Sequence, residues 1–203
     1  MSELLVDFIT SLDGYGAAEG WPGFWGMEGP EYLAWLDKES ERDYTFLMGA
    51  NTYREMYEFA AQAGTVESEL RSEEEATLDT LTRAEKVVFS STLEPPLPWA
   101  NTQLIRGDAV EAVREMKRAG SSPLSTLGSI SLCRSLLMAG LVDRFRVVIF
   151  PVITGKTGSD RIYDGYPDVA LDMVASRTFD GRIQLLEYVP RVLDRPPGAY
   201  PGF

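Results

Sequence analysis

Residues Leu127 to Gly158, LGSISLCRSLLMAGLVDRFRVVIFPVITGKTG, decide the fold. A short apolar segment stops at Gly128, and after the polar Ser-Ile-Ser stretch Leu132, Cys133, Leu136 and Leu137 recur at helical spacing. Gly140 ends that helix, and the apolar run Phe145 to Phe150 has the pattern of a buried strand leading to a Gly-rich turn. A strand end, a helix and a strand in that order make a crossover unit. The start of its helix offers free backbone N–H groups beside a residue without a side chain, so a pyrophosphate can approach closely. On spacing alone the plainer account, an ordinary structural crossover, is the stronger one.

Working outward, Leu4 to Thr10 has the pattern of a strand, and the Asp-Gly and glycine pair in Ser11 to Gly16 marks a turn after it. GWPGFWGMEG, residues 20–29, is a loop with three large aromatic rings that either fold onto the core or wall a cleft for a flat ligand. Pro30 and Glu31 suit the first turn of a helix whose apolar face is Tyr32, Leu33, Trp35 and Leu36. Tyr44 to Met48 is a second strand, leading through Gly49, Ala50, Asn51 and Thr52 into a helix, with Thr52 and Glu55 at capping-box spacing. Residues 64–85 are acidic and polar and predict a solvated helical insertion. Lys86 to Ser90 and Thr102 to Arg106 are further strands separated by a proline cluster, and Asp108 with Glu111 opens another capped helix. Near the end, Leu171 to Phe179 and Arg182 to Val189 flank Asp180-Gly181, a strong signal for a tight antiparallel hairpin. Strands alternating with helices before a closing hairpin predict an α/β fold with a mostly parallel sheet.

Composition narrows the function. At 203 residues the chain can enclose a full core, and one domain is expected over residues 1–190, followed by a Pro/Gly-rich tail at 191–203. A net charge of -12, with 19 Lys and Arg residues spread without a cluster, disfavours nucleic acid and anionic membranes as partners. With no histidine and one cysteine, Cys133, imidazole or thiolate metal sites and histidine triads are excluded, so no metal is expected. Cys133 itself falls among apolar neighbours, as a packed thiol would. Proton chemistry is left to carboxylates, tyrosines, lysines or water. The start of the chain lacks a basic region with a long apolar core, and the apolar runs are too short to cross a bilayer, so the cytoplasm is the expected location.

Four motifs in order, SLDGY, LMGANTYREM, VVFSSTL and GSISLCRSLLMAGLVDRFRVVIFPVITG, carry a resemblance. Together they resemble the dihydrofolate reductase superfamily, and more closely the C-terminal reductase domain of the bifunctional riboflavin-biosynthesis deaminase-reductase, the RibD C-terminal family. The resemblance spans residues 3–189 and implies a dihydrofolate reductase-like three-layer fold with flanking helices. It further implies an NADPH-dependent reductase, with NADH as an alternative cofactor, acting on a small heterocyclic or carbonyl-like substrate. On this likeness, Gly128, Ser129, Ile130, Ser131 and Leu132 meet the pyrophosphate. Gly49, Ala50, Asn51 and Thr52 form the second phosphate-binding helix start, and Ser90 and Ser91 lie near the adenosine ribose. Asp13 and Tyr15 fall by the reacting centre, where Asp13 orients substrate or a water, and Trp21, Phe24 and Trp25 fall on the loop beside nicotinamide and substrate. Locally, Asp13 is equally well explained as an Asx turn before Gly14. A homodimer is implied by the same likeness.

The departures weaken the NADPH expectation. Ala50 and Ser91 stand where many relatives carry arginine, and serine does not replace a guanidinium's planar, charge-assisted grip on phosphate. Arg54 and Arg106 are the candidate substitutes. Loss of both cations also motivates a rival reading, a non-catalytic nucleotide-binding or assembly protein that keeps the reductase fold. Dihydrofolate reduction itself is weaker, because Glu31 only loosely meets the need for a pterin-binding carboxylate. Within these 203 residues no deaminase half is expected, since its zinc-binding cysteine pair and histidine are missing.

Overall fold

The computed structural model describes residues 1–20, 24–62, 72–120 and 122–198. In chain order its elements are β1 (Leu4–Ser11), β2 (Tyr15–Ala18), a 3-10 turn (Phe24–Gly26), α1 (Pro30–Ser40), β3 (Thr45–Gly49), α2 (Ala50–Gln62), α3 (Ser72–Arg83), β4 (Lys86–Phe89) and β5 (Thr102–Ile105). There follow α4 (Ala109–Ala119), β6 (Leu124–Thr126), α5 (Ile130–Met138), β7 (Arg144–Phe150), β8 (Gly158–Arg161), β9 (Val169–Phe179) and β10 (Ile183–Val192). Among the described residues, eight strands form one sheet in the order β5-β4-β3-β6-β1-β7-β10-β9. Six run parallel from β5 to β7, and β10 then pairs antiparallel with both β7 and β9. The mostly parallel α/β sheet with a closing hairpin is therefore as the sequence predicts.

Alternation along the central strands sends neighbours to opposite faces, and both faces are covered. Leu47, Val87 and Val147 pack with Val113 of α4 and Leu132, Cys133, Leu136 and Leu137 of α5. Their neighbours Met48 and Val88 pack with Tyr53 of α2 and Leu78 and Leu81 of α3, while Val148 packs with Tyr32 of α1. Three layers result. Crossovers toward β5 use the α1, α2 face and those toward β7 use the α4, α5 face, as right-handed connections require.

Local chemistry explains the element ends. Asp108 caps α4 by accepting from the amides of Val110 and Glu111, although the Glu111 carboxylate pairs with Arg114 instead of closing a capping box. Helix α5 closes with the amide of Leu141 on the Leu136 carbonyl and that of Gly140 on Leu137, at 3.1 and 3.0 Å. Asp180 and Gly181 have φ of 51° and 66° with Arg182 N–H on the Phe179 carbonyl, the turn that suits a twisted hairpin. Asp180 also caps α1 from across the chain, accepting from the amides of Glu31 and Tyr32 while the Glu31 carboxylate accepts from its own amide. Arg146 on β7 fixes the same helix to the sheet: it grips Asp7 of β1 through two bonds, Glu39 of α1 through a third, and stacks on Trp35. Burial opposes that guanidinium's charge, and Asp7 and Glu39 overcome it, raising its pKa.

Three expectations change. The turn predicted after β1 is cut short, because Tyr15–Ala18 pairs with Gly158–Arg161 as a separate two-stranded sheet. Helix α2 begins at Ala50, so Thr52 lies inside it and does not form the expected cap. The acidic segment is helical over Ser72–Arg83, yet Leu78 and Leu81 are buried against Tyr53 and Trp99, so this helix is part of the core and not a solvated addition. Residues 64–71 of that segment lie outside the described residues. Lys86 is almost fully buried beneath it, donating to the carbonyls of Leu81, Thr82 and Ala84, and burial pushes its ammonium down to about 8.

Candidate functional site

The site follows from the topology. Strands β3 and β6 are neighbours, but β3 continues through α2 to β4 on one side while β6 continues through α5 to β7 on the other. Where adjacent connections diverge, the carboxyl ends of the strands open a crevice for ligand. Both predicted phosphate segments sit there. Gly49 ends β3 just before α2, and Leu127, Gly128 and Ser129 link β6 to α5.

Ser129 joins the two segments. Its hydroxyl accepts from the Gly49 amide at 2.8 Å and donates to Thr52 Oγ1 at 2.8 Å. Its backbone is left-handed, with φ 62° and ψ 58°, and its side chain does not cap its own helix. A Cβ on Gly128 would stand 3.2 Å from both Thr52 Cγ2 and Thr52 Oγ1, a tight contact that Thr52 would have to yield to, and the positive φ of 52° disfavours a side chain there as well. The first amide of α5 bonded within the helix is that of Cys133, on the Ser129 carbonyl. The amides of Ile130, Ser131 and Leu132 are thus the free donors of the helix start. Neither α2 nor α5 has an acidic residue in its first turn, whereas α1 has Glu31 and α4 has Glu111. In a chain of charge -12 these two positive helix ends are left unopposed. Leu132 contributes only backbone, its side chain being buried in the core. Cys133 is buried too, donates to the Gly128 carbonyl, and has its thiol pushed up to about 12 by desolvation, so it is a packed thiol and not a nucleophile.

On the β1 side, Asp13 ties two strand exits together. Its Oδ1 accepts from the Ser11 hydroxyl at 2.7 Å and the Thr154 amide at 3.1 Å. The Ser11 hydroxyl chiefly, helped by Thr154 and opposed by partial desolvation, holds the carboxyl below the ordinary carboxylate range. Tyr15 follows, its amide on Ser11 Oγ, its ring against Gly158 and beneath the Arg161 guanidinium. Trp25 lies half-buried with its ring 5.8 Å from that of Phe150, in the cluster around Tyr32. Of the other aromatic candidates, Phe24 opens the 3-10 turn, while Trp21 and the Phe24 side chain lie outside the described residues.

On the opposite side, Ser90 directly follows β4, and its hydroxyl accepts from the amides of Thr92 and Leu93, both at 3.1 Å. Ser91 is exposed beside it. Arg106, just past β5, donates to the Leu93 carbonyl at 2.7 Å and to Glu94 at 2.8 Å. Arg54 donates to Asn51 on its own helix. The sequence gives no local signal for the Asp13–Thr154, Ser129–Gly49 or Arg106–Glu94 contacts. The first two join residues 141 and 80 apart in the chain, and the third joins the loop after β4 to the end of β5.

The residues present suit a dinucleotide. The donor set at the α2 and α5 starts is neutral backbone and hydroxyl, the Gly128 surface is cut back to backbone, and no carboxylate stands in either first turn. The molecule is thus a mixed α/β protein whose α2 and α5 helix starts meet at the switch point of its sheet. It belongs to the RibD C-terminal domain family, which it matches over residues 3–185. The uncharacterized protein YyaP of Bacillus subtilis (strain 168) is 31% identical over 84 residues, 41% of this chain and 44% of that protein, so the match spans less than half of the relative. A putative riboflavin biosynthesis protein from Shewanella sp. PV-4 superposes with a TM-score of 0.65 at 18% identity, covering 93% of this chain and 99% of the other. The Thermotoga maritima diaminohydroxyphosphoribosylaminopyrimidine deaminase/5-amino-6-(5-phosphoribosylamino)uracil reductase gives 0.61 at 18%, covering 94% of this chain and 57% of its own. Enterococcus faecalis dihydrofolate reductase, in complex with NADP(H), gives 0.54 at 13% over 93% and 96%. The fold is dihydrofolate reductase-like.

Proposed function

We propose that this chain is an NAD(P)H-dependent reductase of a small heterocyclic or carbonyl-like substrate, akin to the pyrimidine reductase half of the Thermotoga enzyme. The observation that carries the reading is the pair of unopposed helix starts at the switch point, clasped by Ser129. When bound, the reduced nicotinamide supplies a hydride. The chain's own groups bind and orient. The free amides of Ile130, Ser131 and Leu132, with the Gly49 to Thr52 start of α2, hold the pyrophosphate. Ser90 and Ser91 accompany the adenosine ribose. Asp13, kept ionised by Ser11 and Thr154, orients substrate or a water, which leaves proton delivery to Tyr15 or to water.

Titration of the protein with NADPH and with NADH, followed by nicotinamide fluorescence, tests this. Saturable sub-millimolar binding of at least one dinucleotide is expected, and no binding of either overturns it. The rival reading, a non-catalytic nucleotide-binding or assembly protein, draws on the neutral Ala50 and Ser91 and on an Asp13 carboxylate already engaged by protein groups. Binding without oxidation across pterins, pyrimidines and carbonyls would favour it. The proposal extends to a homodimer formed along β9. That strand is the outer edge of the sheet, exposed from Leu171 to Thr178, and presents Leu171, Met173 and Val174.

A further inference from the structure

We propose that Arg134 of α5 and the Tyr166 hydroxyl form a binding site for a small carboxylate on the β7 side of that helix. Helix α5 meets α4 on one flank. Along the other runs the segment after β8, where Ile162 and Tyr166 join the core and the Tyr166 ring stands edge-on to Phe145 of β7. Gly165 has a φ of 73°, and a Cβ there would fall 2.5 Å from Arg134 Nη1, so the guanidinium lies directly on the backbone of this segment. The same segment reaches Gly14, which the Tyr163 ring covers and whose carbonyl accepts from the Ile162 amide, so the site is one loop away from Asp13.

Both groups lack what their chemistry demands. Arg134 is half-buried, yet among the described residues its guanidinium makes no hydrogen bond and no ion pair. Asp164 and Asp168 stand on the adjoining segment without pairing to it. Arg144 and Arg146, by contrast, are each held by two carboxylates. The Tyr166 oxygen is closed off from solvent and has no hydrogen-bond partner among the described residues, an arrangement that costs stability until an acceptor arrives. Burial chiefly pushes the Tyr166 phenol up, with Cys133 and Tyr163 adding to it and Arg134 opposing, so it remains a donor. A ligand with acceptor oxygens that enters beside Arg134 satisfies both groups. The guanidinium swings off Gly165 to admit it, and Gly165 has no side chain to hold it back. One guanidinium and one neutral phenol supply a single positive charge, which a monoanion matches. A carboxylate also presents its two oxygens in the plane of the guanidinium fork. A phosphate dianion brings a second negative charge beside Asp164 and Asp168 with no second cation to meet it.

NMR of the full chain, titrated with acetate at constant ionic strength, tests the site through the Arg134 Nε–H and the Gly165 amide. Both signals should shift saturably with a Kd in the millimolar range. Arg134→Gln should abolish the saturable shift at Gly165, and Tyr166→Phe should weaken acetate about tenfold, the size of one hydrogen bond to a charged group. Because the Tyr166 hydroxyl has no protein partner to lose, Tyr166→Phe should melt no lower than the wild type. A shift that never saturates, or that chloride reproduces, overturns the site, and so does a lower melting temperature for Tyr166→Phe. Inorganic phosphate binding more tightly than acetate overturns the carboxylate class. Saturating NADPH should leave the acetate affinity unchanged, since the dinucleotide seat lies between the α2 and α5 starts; competition between the two would assign Arg134 to the dinucleotide and end this proposal. A protein that binds acetate here but neither dinucleotide would lose the reductase reading and keep this site.

Discussion

Ser129 concentrates most of what a single residue does here. Its hydroxyl is spent on the neighbouring turn, and its backbone holds a left-handed conformation that costs a non-glycine residue roughly 1–2 kcal/mol. Ser129→Ala keeps that cost and orphans the Gly49 amide, so it should destabilise the protein by about 1–3 kcal/mol in urea unfolding. Ser129→Gly loses the same bonds but relaxes the backbone, so its loss should be smaller by about 1 kcal/mol. Equal losses for the two variants would mean that no backbone strain is held at Ser129. The sequence marks Gly128 to Leu132 as a candidate phosphate turn, because a glycine after an apolar segment and before helical spacing is a local pattern. It does not reveal that Ser129 clasps Gly49, since that pairing depends on β3 and β6 lying side by side.

At the scale of elements, ends governed by nearby residues are legible and ends governed by distant ones are not. Asp108 caps α4, Pro30 starts α1 and Asp180-Gly181 turns the hairpin as their side chains and φ preferences dictate. Strands β2 and β8 have no such mark: Gly-Ala-Ala and Gly-Ser-Asp carry no alternation, and they pair because their parent loops leave β1 and β7 side by side. Helix α3 is acidic by composition, and only its contact with Tyr53 and Trp99 makes Leu78 and Leu81 core residues. Helix α1 depends on an equally distant contact, its cap at Asp180. Asp180→Ala removes both cap acceptors and leaves alanine at a positive φ, so a loss of about 2–3 kcal/mol is expected. Faster hydrogen exchange should appear first at the Glu31 and Tyr32 amides. Unchanged exchange there would show that α1 holds its first turn without the hairpin.

For the whole molecule, the order of motifs was more telling than any one of them. A glycine before a helix is common, but SLDGY, LMGANTYREM, VVFSSTL and GSISL in sequence fit one sheet order, and the family match over residues 3–185 agrees with it. The edge of that sheet carries the assembly proposal. Light scattering at micromolar concentration should give twice the chain mass of 22.6 kDa, and Val174→Lys should shift it toward one copy. A monomeric wild type would end the homodimer proposal.

The strand order also sets a timetable for synthesis. Leu4 of β1 pairs with Leu124 of β6 and Leu5 with Arg144 of β7, so the first strand made must wait for partners made about 120 to 140 residues later. At ribosomal speed that wait is on the order of ten seconds. Through it Leu4, Val6 and Phe8, all buried in the finished core, have no native strand paired beside them. The nascent β1 segment is therefore a natural client for chaperones, and this central strand, though made before its partners, is among the last to be secured.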